Sequence, residues 1–162
     1  MPYFFDCRKA FNSVPHRPLL NKSLDVSCHV LRWVADYLTS RSQCVVVEGD
    51  RSDVTQVLSG VPQGSVLGPL LFLIYIDEIS SISLSPESSR VIYADDVCVY
   101  RPRSSCRDFR YMQNDIEAVE EWSIENFLNL NPSKCKYMLI SRKRTPSMPE
   151  GSLLLGTSPY KG

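Results

Sequence analysis

Hydrophobic and polar residues follow two patterns along this chain, one typical of helices and the other of strands. Four stretches whose apolar residues predict helices are residues 15–24, 27–38, 66–79 and 107–128. Ser27 and Ser65 stand at the start of two of them, where a hydroxyl can accept a hydrogen bond from an unpaired backbone N–H. The longest stretch has one apolar face, and the opposite face, which carries Asp115 and three glutamates, is expected to be solvated.

Shorter runs rich in β-branched and aromatic residues predict strands. They are residues 3–7, 43–48, 54–58, 136–140 and 152–155, together with both sides of a tight turn within residues 91–100. A Gly-Asp-Arg-Ser turn at residues 49–52 is expected to join two of these strands into a hairpin. Helices and strands are thus interspersed, and the chain contains no internal repeat.

Composition describes a globular chain of about one domain. Its 162 residues are 43% hydrophobic and 22% charged, which is enough apolar material for a buried core. Lysine plus arginine and aspartate plus glutamate both number 18, so the formal net charge is zero. A simple electrostatic nucleic-acid-binding module would normally be basic, and the balance therefore argues against that class.

Cysteine usage and hydropathy favour a reducing intracellular compartment, with cytoplasm and nucleus both fitting. The six cysteines are scattered without a C-x-x-C pair and only two histidines accompany them, which argues against a zinc site. Several lie in apolar runs and are expected to be core thiols. The opening residues 1–6 do not resemble a signal peptide. The longest apolar run, residues 66–76, is shorter than the roughly 20 residues of a membrane span.

Two adjacent carboxylates, Asp95 and Asp96, lie at the centre of the apolar run 91–100. Placing unpaired acids beside a buried sheet is costly, because charge resists leaving water unless another group compensates it. A divalent cation is a common compensation, since hard cations prefer carboxylate oxygen. An ordinary acidic hairpin tip in water would have the same residues, and this stretch alone does not decide between the two.

Two further stretches have residues that packing alone does not require. Asp6 ends the apolar strand of residues 3–7, where a lone acid is expensive. In residues 59–72, glycines and a proline shape a loop that another group is expected to approach closely. Gln63 places an amide, both donor and acceptor, inside that loop.

Taken in order, the three stretches resemble reverse transcriptases of the non-LTR retrotransposon type. They are FFDCRKAFNSVPH at residues 4–16, SGVPQGSVLGPLLF at residues 59–72 and YADD at residues 93–96. YADD alone would be a weak motif, but the three together in this order and spacing are specific. The resemblance covers residues 4 to about 155.

The resemblance implies an α+β fold, with the antiparallel sheet of a polymerase palm and helices packed on one of its faces. The sheet would contain the Asp6 strand, the acidic hairpin and the strand at residues 136–140, while the hairpin at residues 43–58 would lie apart. In this family, Asp6, Asp95 and Asp96 would hold two Mg²⁺ ions, with Mn²⁺ as an alternative. The ions would serve nucleotidyl transfer from a dNTP to a DNA primer 3′-hydroxyl on an RNA template.

Four other residues match family positions. Phe11 stands where the family places an aromatic that excludes a ribose 2′-hydroxyl, although core packing also explains a phenylalanine there. Gln63 and Gly64 match residues that border the incoming nucleotide and the template. Lys134 resembles a lysine of the family, which implies that it would protonate the leaving pyrophosphate.

The expected domain is partial: residues 1–155 as a palm region and residues 156–162 as a truncated tail. The fingers, the thumb and any endonuclease would belong to a longer parent protein, so the fragment alone is expected to be poorly active. Three alternatives are a catalytically silent retroelement remnant, a non-enzymatic RNA-binding module, and a reverse transcriptase of the group II intron maturase type. The SVLGPLLF continuation of the loop favours the retrotransposon type over the maturase.

Overall fold

The computed structural model describes residues 1–22, 26–141, 153, 155 and 156. The chain divides into two compact units. The first, called here the sheet unit, comprises Met1–Arg8 and the described part of Asp77–Gly162. The second, called here the helical unit, comprises the described part of Lys9–Ile76.

The elements alternate between helices and short strands. In chain order they are β1 (Pro2–Phe5), α1 (Ala10–Ser13), α2 (His16–Lys22), α3 (Cys28–Leu38), β2 (Ser42–Gln43), β3 (Val46–Val47), β4 (Asp50–Arg51), β5 (Thr55–Gln56), α4 (Leu67–Ile76), a 3-10 helix (Asp77–Ser81), β6 (Ser89–Tyr93), β7 (Asp96–Tyr100), α5 (Arg107–Glu125) and β8 (Lys136–Tyr137).

A four-stranded antiparallel sheet in the order β6-β7-β1-β8 forms the centre of the sheet unit. β1 is therefore paired on both sides. Tyr3 and Phe5 are buried whereas Phe4 is exposed, as expected for a strand with one face on a core. The structure confirms that the Asp6 strand, the acidic hairpin and the strand at Lys136 share one antiparallel sheet. That last strand is shorter than predicted.

Helix α5 lies against β7. The buried apolar side chains of α5 are Met112, Ile116, Val119 and Trp122. The predicted solvated position of Asp115 is wrong, because this residue is 2% exposed. Its Oδ1 accepts a hydrogen bond of 2.7 Å from the backbone N–H of Ser85. Helical periodicity cannot reveal a partner that lies thirty residues earlier in the chain.

The helical unit packs α2 against both α3 and α4. Its largest buried side chains are Leu19, Leu38, Phe72 and Tyr75. The predicted N-caps are confirmed: Ser27 Oγ accepts from the Val30 N–H at 3.5 Å, and Ser65 Oγ accepts from the Gly68 N–H at 3.0 Å. Helix and 3-10 helix together span the stretch predicted as one helix at residues 66–79.

The hairpin between α3 and α4 differs from the prediction in length and in the position of its turn. It consists of two short antiparallel pairs, β2 with β5 and β3 with β4. Glu48 and Gly49 form its two-residue loop with φ values of 52° and 97°. Two positive φ angles are those of a type I′ turn, which matches the twist of paired strands. The turn therefore begins one residue before the predicted residues 49–52, and the strands of the hairpin are not part of the main sheet.

Antiparallel strands and packed helices confirm the α+β class. All six cysteines are free, but none is fully buried, so the prediction of core thiols is wrong. No helix in the described part of the chain is long and apolar enough to cross a membrane. The end of the first predicted helix, residues 23–24, lies outside the described residues, as do residues 152 and 154 of the predicted strand at residues 152–155.

Candidate active site

Asp6 follows β1 directly and is held by its backbone. Its N–H donates to Cys135 Sγ at 3.3 Å, and its carbonyl oxygen accepts from the Asn131 N–H at 2.8 Å. β1 and β7 pair with Phe5 opposite Val97, and continuing this register by one residue places Asp6 opposite Asp96. Because Asp6 directly follows β1, it lies beside the acidic turn at the start of β7.

The acidic turn has a two-residue loop. Tyr93 pairs with Asp96, and Ala94 and Asp95 connect them. Ala94 has φ 53°, in the left-handed region where a side chain is strained and glycine is usual. Asp95 is half-buried, whereas Asp96 is exposed. Backbone strain at this turn is compatible with a functional site, where such strain tends to be retained.

The thiol of Cys7 reports on the electrostatics at this end of the sheet. Burial, the largest cause, and the nearby charges of Asp95, Cys135, Asp6 and Asp96 together raise its pKa to about 12. Three carboxylates thus act on one point, each disfavouring a further negative charge there. The structure therefore brings Asp6, Asp95 and Asp96 into one acidic region of the sheet unit.

The Asp6 carboxylate has unused hydrogen-bonding capacity. Its Oδ2 atom is buried and has no hydrogen-bond partner, although about a third of the side chain (34%) is exposed. Lys134 forms an ion pair with this carboxylate, with its Nζ 3.7 Å from Oδ2, too far for a hydrogen bond. A buried oxygen without a donor is costly, and a hard cation is the kind of ligand that would satisfy it.

The three carboxylates do not form a closed metal cage. Across residues 1–22 and 26–141, no group of three or more His, Cys, Asp or Glu side chains is close enough to hold an ion. Like charges repel, which favours a spread arrangement of carboxylates when no cation lies between them. The donor set nevertheless fits Mg²⁺: three carboxylates at one end of a sheet, one of them with an unsatisfied buried oxygen.

Phe11 belongs to the helical unit and is packed there. Its ring stacks on Phe72 with centroids 4.4 Å apart and planes 22° from parallel. Phe72 is fully buried and Phe11 is half-buried. This stacking is what core packing predicts for Phe11, and it also fixes the orientation of the exposed part of the ring.

The glycines of the loop at residues 59–72 differ in how closely other atoms approach them. A Cβ on Gly60 would lie 2.8 Å from the Asn12 Cα, and one on Gly68 would clash with the Pro62 carbonyl oxygen. The close approach predicted from these glycines is therefore made by the protein's own backbone. Gly64 differs, because it has φ 77° and a Cβ added there would meet no atom within 4 Å.

Gln63 lies beside Gly64 and is held by one hydrogen bond. Its Nε2 donates to Asn12 Oδ1 at 3.1 Å. Gln63 and Asn12 both line an open cavity, whose lining also includes Arg41, Gln43 and Gln56. Sequence reasoning missed these three residues. In the sequence they are polar residues at the ends of a predicted hairpin. A hairpin that is simply exposed to water has the same pattern, so the sequence does not mark them as lining a cavity.

Comparison with known proteins identifies the family. The profile described as reverse transcriptase (RNA-dependent DNA polymerase) matches residues 2–157. An RNA-directed DNA polymerase from mobile element jockey of Drosophila funebris is 31% identical over 169 residues, covering 98% of this chain and 18% of that protein. A probable RNA-directed DNA polymerase from transposon X-element of Drosophila melanogaster is 33% identical over 148 residues, covering 88% of this chain and 16% of that protein.

A solved structure supports the palm-like fold. Apo telomerase from Candida tropicalis, truncated from its C-terminal domain, has a TM-score of 0.65 to this chain at 13% identity. The match covers 91% of this chain and 32% of that one. The chain spans less than a fifth of the length of the two mobile-element polymerases. The resemblance seen in the motifs is confirmed, and the chain belongs to the reverse transcriptase (RNA-dependent DNA polymerase) family.

Proposed function

We propose that this chain is the palm portion of an RNA-directed DNA polymerase of a non-LTR retrotransposon. The reaction would be extension of a DNA primer 3′-hydroxyl with dNTPs on an RNA template. The observation that carries the proposal is the Asp6 carboxylate, which stands at the end of the central strand with a buried, unsatisfied Oδ2. Asp95 and Asp96 lie at the same end of the sheet.

Asp6, Asp95 and Asp96 would hold two Mg²⁺ ions, with Mn²⁺ as a substitute. When bound, such ions lower the pKa of the attacking hydroxyl and neutralise the charge of the triphosphate. Asp95, half-buried in the turn, is placed by the strained Ala94 and would be shared between the ions. Asp96 is exposed and would have the more peripheral role.

Lys134 would donate a proton to the leaving pyrophosphate. Its side chain is 67% exposed, and its Nζ approaches Asp6 at 3.7 Å without a hydrogen bond to that carboxylate. An ammonium group held loosely near the acids can turn towards an anionic leaving group at little cost. The Asp6–Lys134 pair would therefore open when nucleotide binds.

Phe11, Gln63 and Gly64 would contact the incoming nucleotide and the template. Stacking on Phe72 fixes the Phe11 ring, and a fixed ring is what exclusion of a ribose 2′-hydroxyl requires. Gly64 leaves its surroundings open for a base or sugar. The Gln63 amide retains its oxygen as an acceptor while its nitrogen is hydrogen-bonded to Asn12.

Metal binding tests the acidic site directly. Mn²⁺ titration of the chain, followed by electron paramagnetic resonance and competed with Mg²⁺, should reveal a site that Asp95→Asn weakens by about tenfold or more, since even outer-shell partners matter on that scale. Asp50→Asn is the matched control, because Asp50 is an exposed carboxylate on β4 of the other unit. Equal Mn²⁺ affinity in Asp95→Asn and the unaltered chain would refute the metal assignment.

A further inference from the structure

A column of two aromatic rings on α3 and one cation three residues beyond its end faces solvent. Trp33 and Tyr37 are four residues apart, and their rings stack with centroids 6.0 Å apart and planes 19° from parallel. The guanidinium carbon of Arg41 lies 5.3 Å from the Tyr37 ring centroid. Trp33 is 55% exposed, although tryptophan is on average a well-buried residue. The column of Trp33, Tyr37 and Arg41 therefore presents stacking surface and positive charge to solvent.

The same arginine lines an open cavity of about 680 Å³ in the helical unit. The other polar side chains around the cavity are amides, namely Asn12, Gln43, Gln56 and Gln63, together with two serines. Among the described residues that line it, Arg41 is the only one with a charge. The column on α3 thus leads, through Arg41, into a cavity rich in hydrogen-bonding groups and free of acids.

We propose that the column and the cavity form a binding path for single-stranded RNA, the unpaired part of the template. Bases would stack on Trp33, Arg41 would contact a phosphodiester, and the amides would hydrogen-bond to base edges. Proteins that hold single strands use exposed aromatic rings for stacking beside positive charge for the backbone. The identification of the strand as template rests on the proposed polymerase function.

The charges of the path fit a single strand better than a nucleoside triphosphate. Arg32 and Asp36 are both exposed on α3 and offset one another, so Arg41 supplies the excess charge beside the rings. One guanidinium with several amides matches one phosphodiester and a base edge. A triphosphate has several charges that would need more than one cation. An apolar protein partner would not explain the amide-rich cavity.

Tryptophan fluorescence makes the path testable in the chain as it stands. Trp33 and Trp122 are the two tryptophans, and Trp122 is buried in the sheet unit. Titration with a single-stranded oligoribonucleotide of about 12 nucleotides, within known site sizes, should quench Trp33 as a base stacks on it. Anisotropy of the same labelled RNA gives the affinity. dATP and an RNA duplex of equal length are the competing ligands.

Three substitutions separate stacking from charge. Trp33→Ala should abolish the quench and weaken RNA binding by about tenfold, within the range known for base–aromatic stacking, whereas Trp33→Phe should retain most of the affinity. Arg41→Ala should also weaken binding and reduce the slope of log affinity against log salt by about 0.7. Arg107→Ala is the control, because Arg107 is an exposed arginine on α5 of the sheet unit. Circular dichroism verifies that each variant is folded.

The outcomes are decisive in either direction. Weaker single-strand binding in Trp33→Ala and Arg41→Ala, with Arg107→Ala unchanged, supports the path. It is overturned if the unaltered chain binds no single-stranded RNA, if Trp33→Ala binds it as well as the parent, or if dATP or duplex displaces it at equal concentration. Mn²⁺ affinity is measured on the same variants. A variant that loses RNA binding but retains Mn²⁺ binding bears on the RNA path alone. Unchanged Mn²⁺ affinity in Asp95→Asn bears instead on the proposed polymerase function.

Discussion

Asp6 has the least favourable surroundings among the three acids of the candidate site. It ends a strand whose neighbours Phe5 and Tyr3 are buried, and its Oδ2 has no hydrogen-bond partner. Lys134 offers only a long, exposed ion pair, and such pairs contribute little to stability. A residue that costs stability in the free protein, and whose chemistry suits a cation, is typical of a binding site.

Replacing this acid should therefore separate stability from metal binding. We expect Asp6→Asn to raise the free energy of unfolding by about 0.5–1 kcal/mol in EDTA, because the amide relieves repulsion from Asp95 and Asp96. Mg²⁺ should stabilise the parent chain by mass action and leave the variant unchanged. Denaturant unfolding with EDTA and with Mg²⁺ measures both effects. Asp53→Asn, at an exposed position, is the control, and equal Mg²⁺ stabilisation of Asp6→Asn would contradict the assignment.

Among the elements, the junction of β7 and α5 is tied by one ion pair. Arg101 is 4% exposed, and its Nε donates to Asp108 Oδ1 at 3.0 Å. Asp108 Oδ2 also accepts from the N–H groups of Ser104 and Ser105 at 2.8 and 2.6 Å. The Arg101 guanidinium lies over the Tyr111 ring at 4.5 Å. Both charges are thus hydrogen-bonded, which is the condition for a buried pair to be stable.

This junction should make the fold sensitive to acid. The Ser105 N–H, the Ser104 N–H and Arg101 together lower the pKa of Asp108 to about 2 against the cost of burial. Because the folded pKa is below the unfolded value, the stabilisation is complete above about pH 4 and is lost as the pH falls towards 2. Asp108→Asn should cost about 3 kcal/mol at pH 7, since it leaves Arg101 buried without its counter-ion.

Unfolding free energies of the parent and Asp108→Asn, measured between pH 7 and pH 2, test this prediction. The two curves should converge at the acidic end, because protonation removes the same charge as the substitution. Asn114→Ala, at an exposed position of α5, controls for general effects on the helix. Parallel curves with a constant gap down to pH 2 would show that Asp108 is not the titrating group.

The same elements show how far sequence reasoning reaches. Helix α3 was predicted almost to the residue, because Ser27 and the spacing of Val34 and Leu38 are local signals. Asp115 was misplaced because its partner is a backbone N–H far away in sequence. The exposed column at Trp33 was not predicted either, since an aromatic residue at helical spacing looks the same whether it faces a core or solvent.

At the scale of the whole molecule, apolar residues remain exposed in the helical unit. Val45, Val46 and Val47 on its hairpin are 64%, 58% and 62% exposed. Large exposed apolar surfaces are uncommon in independent domains and usually mark contacts with other protein. The related mobile-element polymerases are more than five times as long as the segment they share with this chain. Both observations support the proposal that this chain is one portion of a larger polymerase.

We therefore expect the isolated chain to extend a primer poorly with Mg²⁺ and dNTPs, even though its acids are intact. Holding primer and template needs positioning surfaces on every side of the reacting atoms, and loss of position alone greatly lowers the rate.

A longer protein that includes the flanking regions of the parent element should extend an RNA-templated primer. Asp95→Asn should reduce that extension to background, whereas Asp53→Asn should retain it. Robust extension by the isolated chain would place the whole catalytic apparatus within these residues. If the longer protein remained active after Asp95→Asn, the chemistry would have to lie away from the acidic turn. The neighbouring Asp96 is exposed and could not replace Asp95 as the carboxylate shared by both ions.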